Sequence, residues 1–237
     1  MLLSFLLWVT SLPGQEPEHA AWGYLWQPAF AVDHVRREPA FPYEPQPGDL
    51  VFFNSADRCW QILYRLAFTG PPTHCGIVVC MPDGTVAILE AGAGSGLDVT
   101  IMPLSPRHEG YTGTYVRRRK VPLTVEQSAL LTDWAMEVCD KRVGAARFPI
   151  QLTPFRQRGP IRTEFLGKPH GIRSTYLCSE LVVEACVAAG LLDADTARPA
   201  ATYPRDLFFD HSTNPYLNRN LNLSEGWCPP ALWAEDR

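Results

Sequence analysis

The sequence predicts an α+β fold, an antiparallel sheet packed against helices, on three observations. Strand-like runs cluster between Asp49 and Val121, the longer helical patterns come later, from Thr124 and from Cys178, and no regular βαβ alternation connects them. A chain of 237 residues, 46% hydrophobic and 19% charged, can bury one sizeable core or two small ones, which excludes disordered and collagen-like classes. Twenty-five acidic against 21 basic residues give a formal charge of −4, so the bulk balance does not favour a nucleic-acid partner.

Taken in order, Leu2 to Leu12 is apolar apart from Ser4, Thr10 and Ser11 and ends at Pro13-Gly14. That length reads as a signal peptide over residues 1–14, which implies export to the periplasm or the medium. No Lys or Arg precedes the run, so a buried segment or misassigned start of a cytoplasmic chain is the alternative. No other run approaches the ~20 apolar residues of a transmembrane helix, so none is expected in the mature chain. Seven of the 22 prolines fall before residue 48. Residues 15–47 are therefore expected to be an extended, aromatic-rich segment wrapped on the surface of the domain that follows, residues 48–237.

Asp49 to Asn54 follows a Pro-Gly turn and reads as a buried strand. Trp60 to Phe68 carries apolar residues at 60, 62, 63, 66 and 67, a helical spacing stopped by Gly70-Pro71-Pro72. His74 to Cys80, a turn at Pro82-Asp83-Gly84, and Val86 to Glu90 form the clearest hairpin. Asp98 to Met102 and Thr114 to Val121 extend it into an antiparallel meander. Thr124 with Gln127 makes a capping box, and Leu130, Leu131, Trp134 and Val138 line one face of a helix running up to Gly144. Another helix is expected from about Cys178 to Ala189, striped by Leu181, Val182, Ala185 and Cys186 and stopped by Gly190.

Several motifs can be set aside. Gly92 to Gly96 lacks the helix that a dinucleotide-binding turn requires, and Ala93 and Leu97 spoil a nucleophile elbow around Ser95. Arg117-Arg118-Arg119-Lys120 reads as an exposed or edge strand blunted by charge, with an anionic substrate or lipid headgroup contact as the alternative. The seven cysteines contain no Cys-x-x-Cys pair, so neither a zinc site nor a thioredoxin-like site is expected.

Cys178 and His74 have more informative surroundings. The first turn of a helix stabilises a thiolate through unpaired N–H groups and the positive end of its dipole, and those N–H groups can also form an oxyanion hole. A small buried hydrophobe is the competing reading of Cys178. His74 opens a strand, and with a three-residue loop ending in a left-handed Gly84, Gly76 faces Glu90 and His74 lies diagonal to it on the same face. A two-residue Asp83-Gly84 loop would instead send Glu90 to the opposite face. The three-residue loop is preferred.

Pro47-Gly48-Asp49-Leu50-Val51-Phe52, Thr73-His74-Cys75-Gly76-Ile77-Val78, Leu89-Glu90-Ala91 and Tyr176-Leu177-Cys178-Ser179-Glu180-Leu181-Val182 together resemble the ordered motifs of the YiiX/YebB-like cysteine hydrolases. Tyr203 to Leu207 resembles the segment that follows the cysteine helix in that family. These are circularly permuted relatives of the NlpC-type papain-fold peptidases. Thr73 stands where Ser is usual, and Cys75 where an apolar residue is commoner.

The resemblance implies a circularly permuted papain-like fold and a thiol hydrolase that cleaves an amide or ester through a thioacyl-enzyme. Cys178 would be the nucleophile, His74 the general base and later acid, and Glu90 the group that fixes the imidazole tautomer. Tyr176 would line the cleft or contact the oxyanion, with buried packing as its other reading. No metal or organic cofactor is implied. The substrate would be a peptide, a peptidoglycan peptide or a lipid acyl group; export favours the cell wall, and the aromatic content with Phe148 to Phe155 favours an acyl ligand. A lipid acyltransferase or phospholipase-type enzyme and a non-catalytic binding module on the same fold are the alternatives.

Overall fold

The computed structural model describes residues 21–29, 31–67, 69–92, 96–105, 111–144, 147, 150, 159–215 and 221–236. The apolar run at 2–12, residues 93–95 of the glycine loop, and all of 148–155 except Ile150 lie outside them. In chain order the elements are β1 (Tyr24–Trp26), β2 (Ala40–Pro42), β3 (Leu50–Ser55), α1 (Arg58–Leu66), β4 (His74–Cys80), β5 (Val86–Ala91), β6 (Val99–Pro103), β7 (Tyr111–Arg117), α2 (Val125–Val138), β8 (Arg142–Val143), β9 (Thr175–Tyr176), α3 (Cys178–Ala188), α4 (Pro204–Phe209), α5 (Leu223–Gly226) and β10 (Ala231–Ala234). A π-helical turn occupies Ile161–Leu166, and a 3-10 turn Pro199–Ala201. The α+β class is as expected: an antiparallel sheet packs against helices.

Leu50, Val51, Phe52 and Phe53 are all fully buried because both faces of β3 are covered. On one face Leu50, Phe52, Cys75, Ile77 and Leu89 pack with Leu131, Trp134, Leu181 and Val182 of α2 and α3. On the other, Val51, Phe53, Val78, Ile88 and Val116 meet Leu25, Tyr43 and Trp233. Fully burying one such aliphatic or aromatic side chain stabilises the fold by about 1.5–3 kcal/mol.

The sheet order is β2-β1-β10-β7-β3-β4-β5-β6. Only β3 to β6 follow the expected meander. β7 returns to the far side of β3 and is flanked by β10, so the expected exposed or edge strand is an interior one. Arg117 at its end is buried, and its guanidinium donates to the carbonyls of Leu207, Phe208 and Cys228 at 3.0, 3.2 and 3.1 Å. Two of these are orphan carbonyls at the C-terminus of α4, where a cation is favoured. Arg119 stacks on the Trp227 ring at 4.4 Å. The charges thus serve chain packing, not an edge.

The N-terminal segment is also more than a surface wrap. β1 pairs with β10, β2 pairs with β1, and Tyr43 lies edge-on to Trp233 at 5.0 Å in the core. Three-residue strands carry too few alternations to be read from sequence.

Local chemistry follows the expected signals elsewhere. Gln127 N–H donates to Thr124 Oγ1, and Thr124 N–H donates to Gln127 Oε1, each at 3.1 Å, closing the capping box of α2. That helix ends at Val138, short of Gly144, because Asp140 turns the chain at φ 67°. Leu130 is 46% exposed, so its expected place on the buried face belongs to Ala135. The hairpin has the three-residue loop: Gly84 has φ 86°, Met81 N–H donates to Thr85 O at 2.8 Å, and Gly76 pairs with Glu90. Among the described residues no helix is long and apolar enough to cross a membrane.

Asp49, fully buried at the start of β3, ties the first turn to β7. It accepts hydrogen bonds from Tyr43 Oη (2.9 Å), Gln46 N (3.2 Å) and Arg119 N (2.7 Å). Burial outweighs these bonds and pushes its carboxyl up to about 7. An unfolded Asp gives up its proton near 3.9. Between about 4 and 7 the folded chain therefore holds a proton that the unfolded chain has lost, and stability falls as pH rises through that window. The expected result is a urea midpoint that declines from pH 4 to 7 more steeply in the wild type than in Asp49→Asn.

Candidate active site

Cys178 is the first residue of α3, at the end where a helix leaves its N–H groups unpaired. Leu177 N–H donates to Glu180 Oε2 at 3.2 Å, so a carboxylate one turn in closes the helix entry. Glu180 is itself fully buried, and Arg147 and Arg173 reach it at 2.5 and 2.8 Å. Those cations compensate a buried negative charge that would otherwise oppose a thiolate at the same helix end.

His74 opens β4, and Glu90 lies in β5 on the same face. Gly76 separates them along β4: a Cβ there would come within 2.8 Å of Leu89 O and of the Ile88 side chain, so glycine lets the strands close. His74 Nε2 lies 2.6 Å from Glu90 Oε2. A carboxylate only accepts, so Nε2 carries the hydrogen and Nδ1 is the ring's free acceptor; Cys178 lies near enough for the two groups to shift each other's titration. The imidazole is held flat by aromatic rings: Tyr111 stacks on it at 5.7 Å and 10°, and Phe53 at 5.7 Å and 29°.

Two further side chains lie near enough to act on Cys178 electrostatically. One is Tyr64 of α1, its ring packed on Tyr203 at 6.4 Å. The other is Cys75, fully buried in the same core cluster as Cys178. Of the three residues expected to cooperate, His74 and Glu90 share a hydrogen bond, and Cys178 opens the helix α3 that packs against β4.

No family model matches the chain, and no curated protein does. Among solved structures there is a weak likeness to the metalloprotein yiiX from Escherichia coli O157:H7. Its TM-score is 0.42 at 22% identity, covering 62% of this chain and 67% of that one. Among the described residues no group of three or more His, Cys, Asp or Glu could hold a metal ion.

The titrations of Cys178 and His74 are shifted in opposite directions. The neighbouring Cys75 is the largest influence on Cys178; with the charge of His74 it overcomes burial and holds the thiol well below the usual cysteine value. Burial opposes an imidazolium at His74, but the facing Tyr111, Cys178 and Glu90 outweigh it and raise the ring well above the ordinary histidine value. Burial pushes the Cys75 thiol well up, and does the same to the Tyr64 phenol, so both remain protonated donors.

Tyr176 has a different place from the one expected on the oxyanion. It is fully buried, edge-on to Trp134 at 5.9 Å. Its hydroxyl donates to Gly171 O at 3.2 Å and accepts from Arg173 N at 2.8 Å. The packing alternative describes it, and its hydrogen bonds brace the turn that leads into α3. Tyr64 was not legible as a site residue; the only signal is an aromatic with a polar tip lying off the apolar stripe of its helix. None of the seven cysteines is in a disulfide.

Proposed function

We propose that this protein is a cysteine hydrolase on a circularly permuted papain-like (NlpC-type) fold, cleaving an amide or ester through a thioacyl-enzyme. The observation that carries the reading is the His74–Glu90 hydrogen bond in the neighbourhood of a cysteine at a helix N-terminus. The order His74, Glu90, Cys178 along the sequence supports the permuted arrangement.

In the proposed reaction the Cys178 thiolate attacks the substrate carbonyl carbon and the π electrons move to oxygen. The Cys178 backbone N–H and the Tyr64 hydroxyl stabilise that oxyanion. As the tetrahedral intermediate collapses, the His74 imidazolium gives its proton to the departing amine or alkoxide, leaving a thioester. Neutral His74 then takes a proton from water, the hydroxide oxygen adds to the thioester, and the acid and the Cys178 thiolate separate. Glu90 keeps Nε2 protonated throughout, so that only Nδ1 exchanges protons with the reacting groups.

Ile62 and Leu66, 55% and 53% exposed on the helix that delivers Tyr64, favour an acyl substituent over a cell-wall peptide. Residues 1–14 are read as a signal peptide, making the periplasm or the medium the proposed location.

The test is alkylation by iodoacetamide followed residue by residue, together with hydrolysis of acyl esters of increasing chain length. A fast-labelling Cys178 and time-dependent release of acid support the reading. Uniform slow labelling of all seven cysteines, with no acid released, overturns it. Tyr64→Phe removes one oxyanion donor and is expected to lower kcat about 10²-fold with little change in KM. A KM effect alone would assign Tyr64 to substrate binding instead.

A further inference from the structure

The residues that lead into Cys178 are held by the segment that follows α2. β8 and β9 pair in parallel, Arg142 beside Thr175 and Val143 beside Tyr176, and Gly144 N–H donates to Tyr176 O at 2.9 Å. The chain then turns back, with Arg147 N–H donating to Gly144 O at 2.8 Å. A Cβ on Gly144 would come within 2.9 Å of Arg147 Cδ, so glycine there lets the arginine fold back over the turn. The Arg147 guanidinium forks onto Glu180, Nη1 to Oε2 at 2.5 Å and Nη2 to Oε1 at 3.2 Å.

Glu180 Oε2 also accepts from Leu177 N–H at 3.2 Å, one residue before the proposed nucleophile. The Leu177–Cys178 peptide carries the Cys178 N–H, so what fixes Leu177 also fixes the direction of the proposed oxyanion donor. The carboxylate is fully buried and has no water to support its charge, so it depends on paired cations. Arg173 Nη1 contributes at 2.8 Å, but that guanidinium is shared with Glu184, 3.4 Å from its Nη2. Among the described residues, removing Arg147 would leave two buried carboxylates of α3 facing one guanidinium.

We propose that Arg147 is a positioning residue that acts on Cys178 through Glu180: its fork keeps the carboxylate aimed at Leu177 N–H and cancels negative charge at the helix end where the thiolate forms. The inference rests on the proposed hydrolase, since it needs Cys178 to be the nucleophile. Arg147 itself touches no reacting atom in that scheme. The charged and titratable groups around the Glu180 carboxylate are Arg147 and Arg173, with Glu184 and the Tyr176 phenol beside Arg173. Those acting on Cys178 are His74 and Cys75 of β4 and Tyr64 of α1. Against that fixed background, loss of the Arg147 charge disfavours the thiolate and loss of the Glu180 charge favours it.

The test is the pH profile of Cys178 alkylation, read by mass spectrometry of its peptide with exposed Cys59 as the internal control, alongside kcat, KM and the thermal midpoint. Arg147→Met removes the charge and is expected to move the Cys178 midpoint up by about half a pH unit, a loss of labelling of about threefold on the acid limb, and to lower kcat about tenfold with KM unchanged. Arg147→Lys keeps the charge without the fork and is expected to hold the midpoint while kcat falls about threefold. Glu180→Gln is expected to move the midpoint down, and Arg147→Met combined with Glu180→Gln to restore labelling to within about twofold of the wild type. A residue needed only for folding would move both single variants the same way, together with the thermal midpoint. Wild-type kcat in both Arg147 variants, or midpoint shifts of one sign in Arg147→Met and Glu180→Gln, overturn the role of Arg147 and leave the hydrolase standing. A wild-type Cys178 that labels like Cys59 at every pH overturns the hydrolase reading and this role with it.

Discussion

Cys178→Ala is expected to abolish ester and amide hydrolysis, by about 10⁴-fold or more, while the protein stays folded. The size follows from covalent catalysis: without the sulfur no thioester forms, and what remains is substrate binding and the oxyanion donors. Serine is a sharper probe than alanine. Its hydroxyl fits the site of the 8%-exposed thiol, but a charge on His74 cannot bring an alkoxide into the working pH range. Cys178→Ser should therefore fail nearly as badly as alanine. The measurement is single-turnover acid release, paired with the thermal midpoint to establish that both variants fold. Wild-type turnover in either variant would remove Cys178 from the chemistry and leave a cleft that binds without reacting.

The parts of this site legible in the sequence are those written in short-range periodicity. The pairing of His74 with Glu90 was readable because one glycine, Gly84, takes a left-handed conformation that sets the loop length, and loop length sets which residues share a face. Cys178 at a helix start was readable because an apolar stripe begins there and Gly190 ends it, at φ 67°. Tyr64 was not readable. Its place near Cys178 depends on how α1 lies over the sheet, and nothing in the helical pattern of nine residues encodes that angle.

The same limit explains the strands. β7 was expected in roughly the right place, but its neighbours β3 and β10 are distant in sequence, and pairing with them is a property of the packed core. Arg117 misled for a related reason: a guanidinium is usually solvated, and here three carbonyls from two other segments replace the water.

His74→Ala should have the second-largest effect, and the pH dependence gives it a signature that misfolding would not imitate. In the wild type Cys178 is held below its ordinary value and His74 above its own, so a thiolate–imidazolium pair is expected over the interval between them. Hydrolysis should rise as Cys178 loses its proton and fall as His74 loses its own, because a neutral ring cannot protonate the leaving group. Removing the ring deletes a neighbouring positive charge, so the thiol moves back toward the ordinary cysteine range near 8.5. Labelling of Cys178 at pH 6 should then drop by about 10²-fold but recover at pH 9, since a thiolate formed by base is still a nucleophile. Turnover should not recover with it: it stays about 10³-fold down at both pH values because no general acid remains. Glu90→Gln separates the two functions of the ring. Glutamine can still sit at 2.6 Å from Nε2 but brings no charge, so the alkaline limb of the wild-type profile should move to lower pH as the imidazolium loses its partner. A Glu90→Gln profile that superimposes on the wild type would leave Glu90 as a buried carboxylate beside the histidine and reduce the triad to Cys178 and His74.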